Sequence, residues 1–147
     1  MGVLTTDQKG AVAELAIAYA AAELGVGVFK PLTDGERYDL IFETGVRPIR
    51  VQCKWAPLDG QTVLVRCYSN RRAREGLRRR SYTASEADAI AAYCPGLDRC
   101  FYVPAPRFDG HAELRLRLAP SRNHQRLGIN WAEDFDFGAK LTALLGP

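Results

Sequence analysis

The sequence predicts an α+β fold, in which a leading helix is followed by strands joined largely as an antiparallel meander. Three observations carry this. Thr5-Thr6-Asp7-Gln8 has the spacing of a capping box and opens an alanine-rich helical stretch. Residues 38–43 and 49–55 are rich in β-branched and aromatic side chains, and each follows a turn signal. Asp59-Gly60 then marks a further hairpin turn before another apolar run. The 147 residues suit one domain spanning 1–147, long enough to bury roughly two thirds of its unfolded surface.

The first helix should run to Leu24 and stop at Gly25. Between Lys9 and Glu23 its one charged residue is Glu14, and the rest is almost all Ala, Val, Leu, Ile and Tyr, which predicts a helix buried over most of its circumference. On such a helix Glu14 either occupies a narrow exposed stripe with Gly10 and Ala18 or meets a cation or donor. A short strand over 26–30 and a polar turn over 31–37 lead into the hairpin of 38–43 and 49–55. With Gly45-Val46 as a two-residue loop, residues whose numbers sum to 91 lie opposite one another, so Asp39 faces Gln52. Pro48 cannot donate to the ladder and can force a longer loop.

A third strand is expected over 62–68, and the arginine-rich stretch 69–80, with little apolar periodicity, should be a solvated loop or a short basic helix. Ser85-Glu86-Ala87-Asp88 has the look of a helix start, so a second helix is expected through Tyr93, ending before Pro95-Gly96 and forming a crossover unit with a strand over 99–103. Residues 111–118 alternate as a half-exposed strand, 120–128 are polar and basic, and 137–145 form a short closing helix.

Composition narrows the class. Apolar residues make up 47% and charged residues 25%, which argues against disorder. An apolar run near 18 residues and a basic, then apolar, leader are both lacking, so the expectation is a cytoplasmic protein without a membrane partner. Cys53, Cys67, Cys94 and Cys100 contain no C-x-x-C pair and read as free thiols. His111 and His124 lie outside any zinc-ligand spacing.

Charge is unevenly placed. Arg66, Arg71, Arg72, Arg74, Arg78, Arg79 and Arg80 against Glu75 give one segment +6, so the net +3 leaves −3 on the rest of the chain. A run this uniform, flanked by Tyr68 and Tyr82, is suited to nucleic-acid phosphates.

The hairpin carries the chemistry. Gln52 and Lys54 share one face of a strand whose other face presents Val51, Cys53 and Trp55. If the first helix packs beside this hairpin, Glu14, Asp39, Gln52 and Lys54 converge. Two carboxylates and an amide oxygen are hard ligands suited to Mg²⁺, with Mn²⁺ as the expected substitute. A lysine beside them can orient or deprotonate a water attacking a phosphodiester.

Asp39, twelve intervening residues, Gln52-Cys53-Lys54 and a preceding helical Glu14 resemble the signature of the PD-(D/E)XK nuclease superfamily. Gln52 stands where that pattern usually has Asp or Glu. With Tyr38-Asp39, Val51-Gln52-Cys53-Lys54-Trp55, Ala92-Tyr93-Cys94-Pro95, Tyr102-Val103-Pro104 and Asn123-His124-Gln125, it resembles the group I intron-encoded homing endonuclease branch.

The resemblance implies a restriction-endonuclease-like core of α/β/α layering, a mixed sheet with an antiparallel meander flanked by helices. It also implies Mg²⁺-dependent cleavage of double-stranded DNA by a homodimer or homotetramer with two active sites on opposite strands. By carry-over Asp39 is the principal metal ligand, Gln52 a neutral ligand, Glu14 a nearby acid and Lys54 the water-activating group, while Arg66, Arg71, Arg72, Arg74, Arg78, Arg79, Arg80, Arg122, Gln125 and Arg126 are expected on the DNA. Alternatives are a structure-specific nuclease such as a Holliday junction resolvase, and a non-catalytic DNA-binding protein on a degenerate nuclease fold.

Overall fold

The computed structural model describes residues 2–120, 123 and 127–146. Helix α1 (Thr6–Glu23) opens with the expected capping box: Thr5 Oγ1 accepts the Gln8 N–H at 3.2 Å and Gln8 Oε1 accepts the Thr5 N–H at 2.8 Å. It ends at Gly25, whose φ of 82° favours glycine. Its burial is narrower than its composition predicts. Ala13, Ile17 and Ala21 form a stripe at four-residue spacing, whereas Leu15 and Tyr19 are 70% and 67% exposed. The helix covers one sheet face and leaves its other side to solvent.

In chain order there follow β1 (Gly27–Phe29), β2 (Leu40–Glu43), β3 (Pro48–Trp55), β4 (Leu58–Asp59), β5 (Thr62–Arg66), β6 (Tyr68–Ala73), β7 (Gly76–Ser81), β8 (Ala89–Cys94) and β9 (Arg99–Pro104). A short helix α2 (Ala105–Phe108), β10 (Glu113–Arg117), β11 (Asn130–Trp131), a 3₁₀ turn over Ala132–Phe135 and helix α3 (Phe137–Leu145) complete the described chain. The central sheet has the order β1-β2-β3-β8-β9. Only β3 and β8 run parallel in it, so it is a mixed sheet whose first three strands form the expected meander. The registers Leu40↔Val51 and Phe42↔Ile49 keep the predicted sum of 91, and Gly45 at φ 89° supplies the turn.

The central sheet divides two apolar layers. On one face Val51, Cys53, Ala89, Ala91 and Tyr102 pack with Ile17 and Ala21 of α1 and Phe137 and Leu141 of α3. Phe42 meets Phe137 edge to face at 6.0 Å between centroids; truncating Phe42 to Ala would cost about 3–5 kcal/mol. On the other face Ile90, Ala92, Phe101 and Val103 pack with Val63, Val65, Leu114 and Leu116 of a second sheet, ordered β11-β10-β5-β4. The fold is therefore α+β, a mixed sheet flanked by helices and backed by this smaller sheet.

Three expectations are corrected. Residues 85–93 are not a helix: the polar residues that resemble a cap serve other partners, with Asp88 binding Arg50 and Glu86 binding Thr83. The Ala-Ile-Ala-Ala run becomes β8, wholly buried on both faces and paired with β3 and β9, so tertiary pairing overrides alanine's helical propensity. β8 and β9 accordingly form a hairpin instead of a helix–strand crossover.

The segment 69–80 is neither loop nor helix. β6 and β7 pair antiparallel as a two-stranded ribbon closed by Arg74-Glu75, with Gly76 at φ 110°. Both its faces are solvated, which removes the apolar alternation that marks a strand in sequence. The expected strand over 62–68 is likewise divided at Cys67, whose N–H turns to Ala112 O at 2.8 Å. Its first part, β5, belongs to the second sheet.

Candidate active site

Asp39 stands immediately before β2 and is fixed to β3 by two hydrogen bonds. Its N–H donates to Val51 O at 2.8 Å and its Oδ2 accepts the Cys53 N–H at 2.9 Å. The ladder partner of Val51 is Leu40, so the backbone shifts by one residue at Asp39; the expected Asp39–Gln52 pair is not in the ladder, and the carboxylate takes up the Cys53 donor instead. Burial raises the Asp39 carboxyl above its ordinary value; the Cys53 N–H opposes this, the charge of Glu14 adds to it, and Lys54 and Lys30 counter it.

Glu14 comes from α1. Its carboxylate holds Lys30 Nζ at 2.6 Å, just beyond β1, which explains how one acid is accommodated on this helix. Glu14, Lys30, Asp34 and Asp39 line one cleft of about 120 Å³. The structure thus brings Glu14 and Asp39 together, with Lys30 as a cation that sequence reasoning missed. Its position at the end of a short strand offered no signal.

On β3, Gln52 is buried and Lys54 half-buried. Gln52 Nε2 donates to Cys53 O at 3.3 Å, and its Oε1 accepts no hydrogen bond from a described residue. Lys54 Nζ donates to Tyr68 O at 2.7 Å and lies 5.0 Å from the centroid of the Tyr82 ring. Burial lowers its pKa, an effect opposed by Asp39 and reinforced by Arg37 and Arg66. Gln52 and Lys54 do not line the cleft of Glu14 and Asp39. Lys54 and Asp39 are nonetheless close enough to move each other's titration.

Arg66 lies at the exposed end of β5; Arg71, Arg72, Arg74, Arg78, Arg79 and Arg80 lie exposed along the ribbon and its turn. Arg71 stands opposite Arg78, a like-charge pair that a bound anion would relieve, and Arg78 also pairs with Glu75. The remaining expected DNA residues, Arg122, Gln125 and Arg126, lie outside the described residues. Arg37, two positions before Asp39, was also missed, although it binds four groups at the ribbon's root.

A family model for the PD-(D/E)XK endonuclease matches residues 4–138. The chain belongs to the PD-(D/E)XK endonuclease family. Among solved structures, the bacterial homing endonuclease I-Ssp6803I is 24% identical, with 97% of this chain and 94% of that one covered and a TM-score of 0.74. That likeness is one of fold. No curated protein matches. Among the described residues no three His, Cys, Asp or Glu side chains cluster as a metal site. Asp39 and Glu14, which share the cleft, suit a hard divalent cation, which commonly takes one or two carboxylates and completes its shell with water, whereas Gln52 lies outside that cleft.

Proposed function

We propose that this chain is a metal-dependent endonuclease that hydrolyses phosphodiester bonds in double-stranded DNA, in the manner of a homing endonuclease, with residues 1–147 acting as one nuclease-like domain. The observation that carries the reading is the Asp39–Cys53 hydrogen bond. It holds the carboxylate of the first signature residue against the peptide N–H between Gln52 and Lys54, so the two halves of the signature share one backbone junction.

In this reading Asp39, Gln52 Oε1 and Glu14 hold Mg²⁺, or Mn²⁺ in its place. The cation supplies electrostatic stabilisation for the charge that develops on the phosphodiester. Glu14 Oε1 holds Lys30, which leaves Oε2 for the cation. Lys54, whose pKa burial lowers, is the group that would orient the attacking water or take its proton at Nζ. Arginines of the ribbon neutralise phosphates flanking the cleaved bond. Each chain contributes one Lys54, so cutting both strands calls for at least two copies, as a homodimer or homotetramer. No helix in the described residues is long and apolar enough to cross a membrane, and a cytoplasmic site of action accords with free thiols at all four cysteines.

The test is a metal titration with cleavage measured on a randomised linear duplex pool and on a four-way junction. Mg²⁺-dependent cutting of selected duplexes supports the proposal. Preference for the junction replaces it with a resolvase, and DNA binding without cutting in any divalent metal replaces it with a non-catalytic DNA-binding protein.

A further inference from the structure

The root of the ribbon and the catalytic strand are tied by two cations that share one aromatic ring. Arg37 commits four of its five N–H donors: Nε donates to Glu86 Oε2 at 3.0 Å, Nη1 to Ser69 Oγ at 2.7 Å, and Nη2 to Arg80 O at 3.2 Å and Ser81 O at 3.1 Å. Its Cζ sits 4.1 Å from the centroid of the Tyr82 ring. Lys54 Nζ lies 5.0 Å from the same centroid and donates to Tyr68 O. Tyr68 pairs with Ser81 as the first rung of the ribbon, and one residue further down the Tyr82 N–H meets Cys67 O at 2.9 Å. Arg37 therefore holds both strands of the ribbon near the rung to which Lys54 is anchored.

Apart from Tyr68 and the half-buried Ser69 and Ala73, the ribbon's strand residues are exposed, and a two-stranded hairpin is marginal in water by itself. Glu86 adds a second grip, because its Oε2 also accepts from Arg80 at 2.8 Å. A push on the ribbon by a bound polyanion is thus carried to Tyr68 O, and through it to Lys54.

We propose that Arg37 is a positioning residue that couples engagement of DNA by the ribbon to placement of Lys54. With four of its five N–H donors engaged inside the protein, Arg37 acts through the ribbon root and Tyr82. The coupling rests on the endonuclease reading for its catalytic consequence, but its mechanical part stands without cleavage.

The experiment compares the full-length protein with Arg37→Gln and Arg37→Lys in two assays. On a duplex selected by the wild type from the randomised pool, kcat and KM are measured in Mg²⁺. Separately, amide hydrogen exchange is followed with and without a linear duplex at low salt in metal-free buffer. Both variants are expected to lose roughly a hundredfold in kcat with KM unchanged, because a misplaced group costs rate and not affinity. Lysine should fail to rescue, since an ammonium cannot span Glu86, Ser69 and the two carbonyls. DNA should slow exchange in both the ribbon and residues 52–55 of the wild type, but only in the ribbon of the variants.

A proportionate loss of kcat and affinity would make Arg37 a simple staple of the ribbon and overturn the coupling, as would full rescue by lysine or equal protection of 52–55 in every variant. If the wild type cuts no DNA, the endonuclease reading falls, and the exchange pattern alone decides the coupling.

Discussion

The Asp39 carboxylate accepts the Cys53 N–H at 2.9 Å, on the one residue that separates Gln52 from Lys54. The bond orients Asp39, yet its carboxyl remains raised by burial and by the neighbouring charge of Glu14. A raised carboxyl disfavours the folded state once ionised. Stability is therefore lost as pH rises from the ordinary value of 3.8 through the folded one. Asp39→Asn keeps an oxygen for Cys53 and removes the charge. It should raise the metal-free melting temperature by about 2 °C at neutral pH, remove the melting shift that Mg²⁺ gives the wild type, and abolish cleavage. Calorimetry with and without metal reads the first two effects, and a variant that melts no higher than wild type would contradict the electrostatic account.

Lys54→Met exchanges the ammonium for an apolar group of similar length. Cleavage should fall by about 10²–10⁴, the usual worth of a positioned proton-transfer group, while duplex binding at fixed salt stays close to wild type. Single-turnover cleavage alongside fluorescence anisotropy separates the two, and retained cleavage would remove Lys54 from the chemistry.

Gln52→Glu adds an acid to the signature, next to the Cys53 N–H that Asp39 accepts. Mg²⁺ affinity measured by isothermal titration should rise, and the metal-free protein should become less stable because another buried carboxylate lacks a cation. If affinity is unaltered, Gln52 does not ligate the metal.

For the ribbon, Arg71→Ser with Arg78→Ser removes the facing like charges. The slope of log affinity against log salt should flatten by about 0.9 for each phosphate that is no longer neutralised. An unchanged slope would move the DNA surface elsewhere.

Asp88 carries a structural prediction. Burial pushes its carboxyl up, but hydrogen bonds from the Arg50 side chain and backbone, together with the charges of Arg50 and Arg47, more than offset this and hold it below the ordinary 3.8. Its contribution is complete above that value and is lost as pH falls through the folded one. Asp88→Ala, which strips hydrogen bonds of 2.8, 3.1 and 3.2 Å from Arg50, should cost about 2–3 kcal/mol in urea unfolding at pH 7 and much less at pH 2.

What could be read from the sequence follows from which interactions are local. The α1 cap, the 91-sum register, the alternation of β10 and the span of α3 rest on nearby residues, and each takes its expected form. β8 was not legible because Thr83 and Glu86 close one local turn with the look of a helix start, while Glu86 and Asp88 also answer to Arg37, Arg80 and Arg50, outside that turn. The ribbon was hidden because a strand pair without a buried face leaves no period to find. Of the candidate site, Glu14, Asp39 and the Gln52-Lys54 pair could be proposed from residue type and spacing, whereas Lys30 and Arg37 stand out only through partners supplied by the fold.

The ribbon's exposed outer residues touch little of the apolar interior, so exchanging most of them leaves the two packed layers as they are. On the proposed reading, in which the ribbon meets the DNA, those contacts can therefore change while the cleft of Glu14 and Asp39 stays fixed, and a new target can be acquired without refounding the domain.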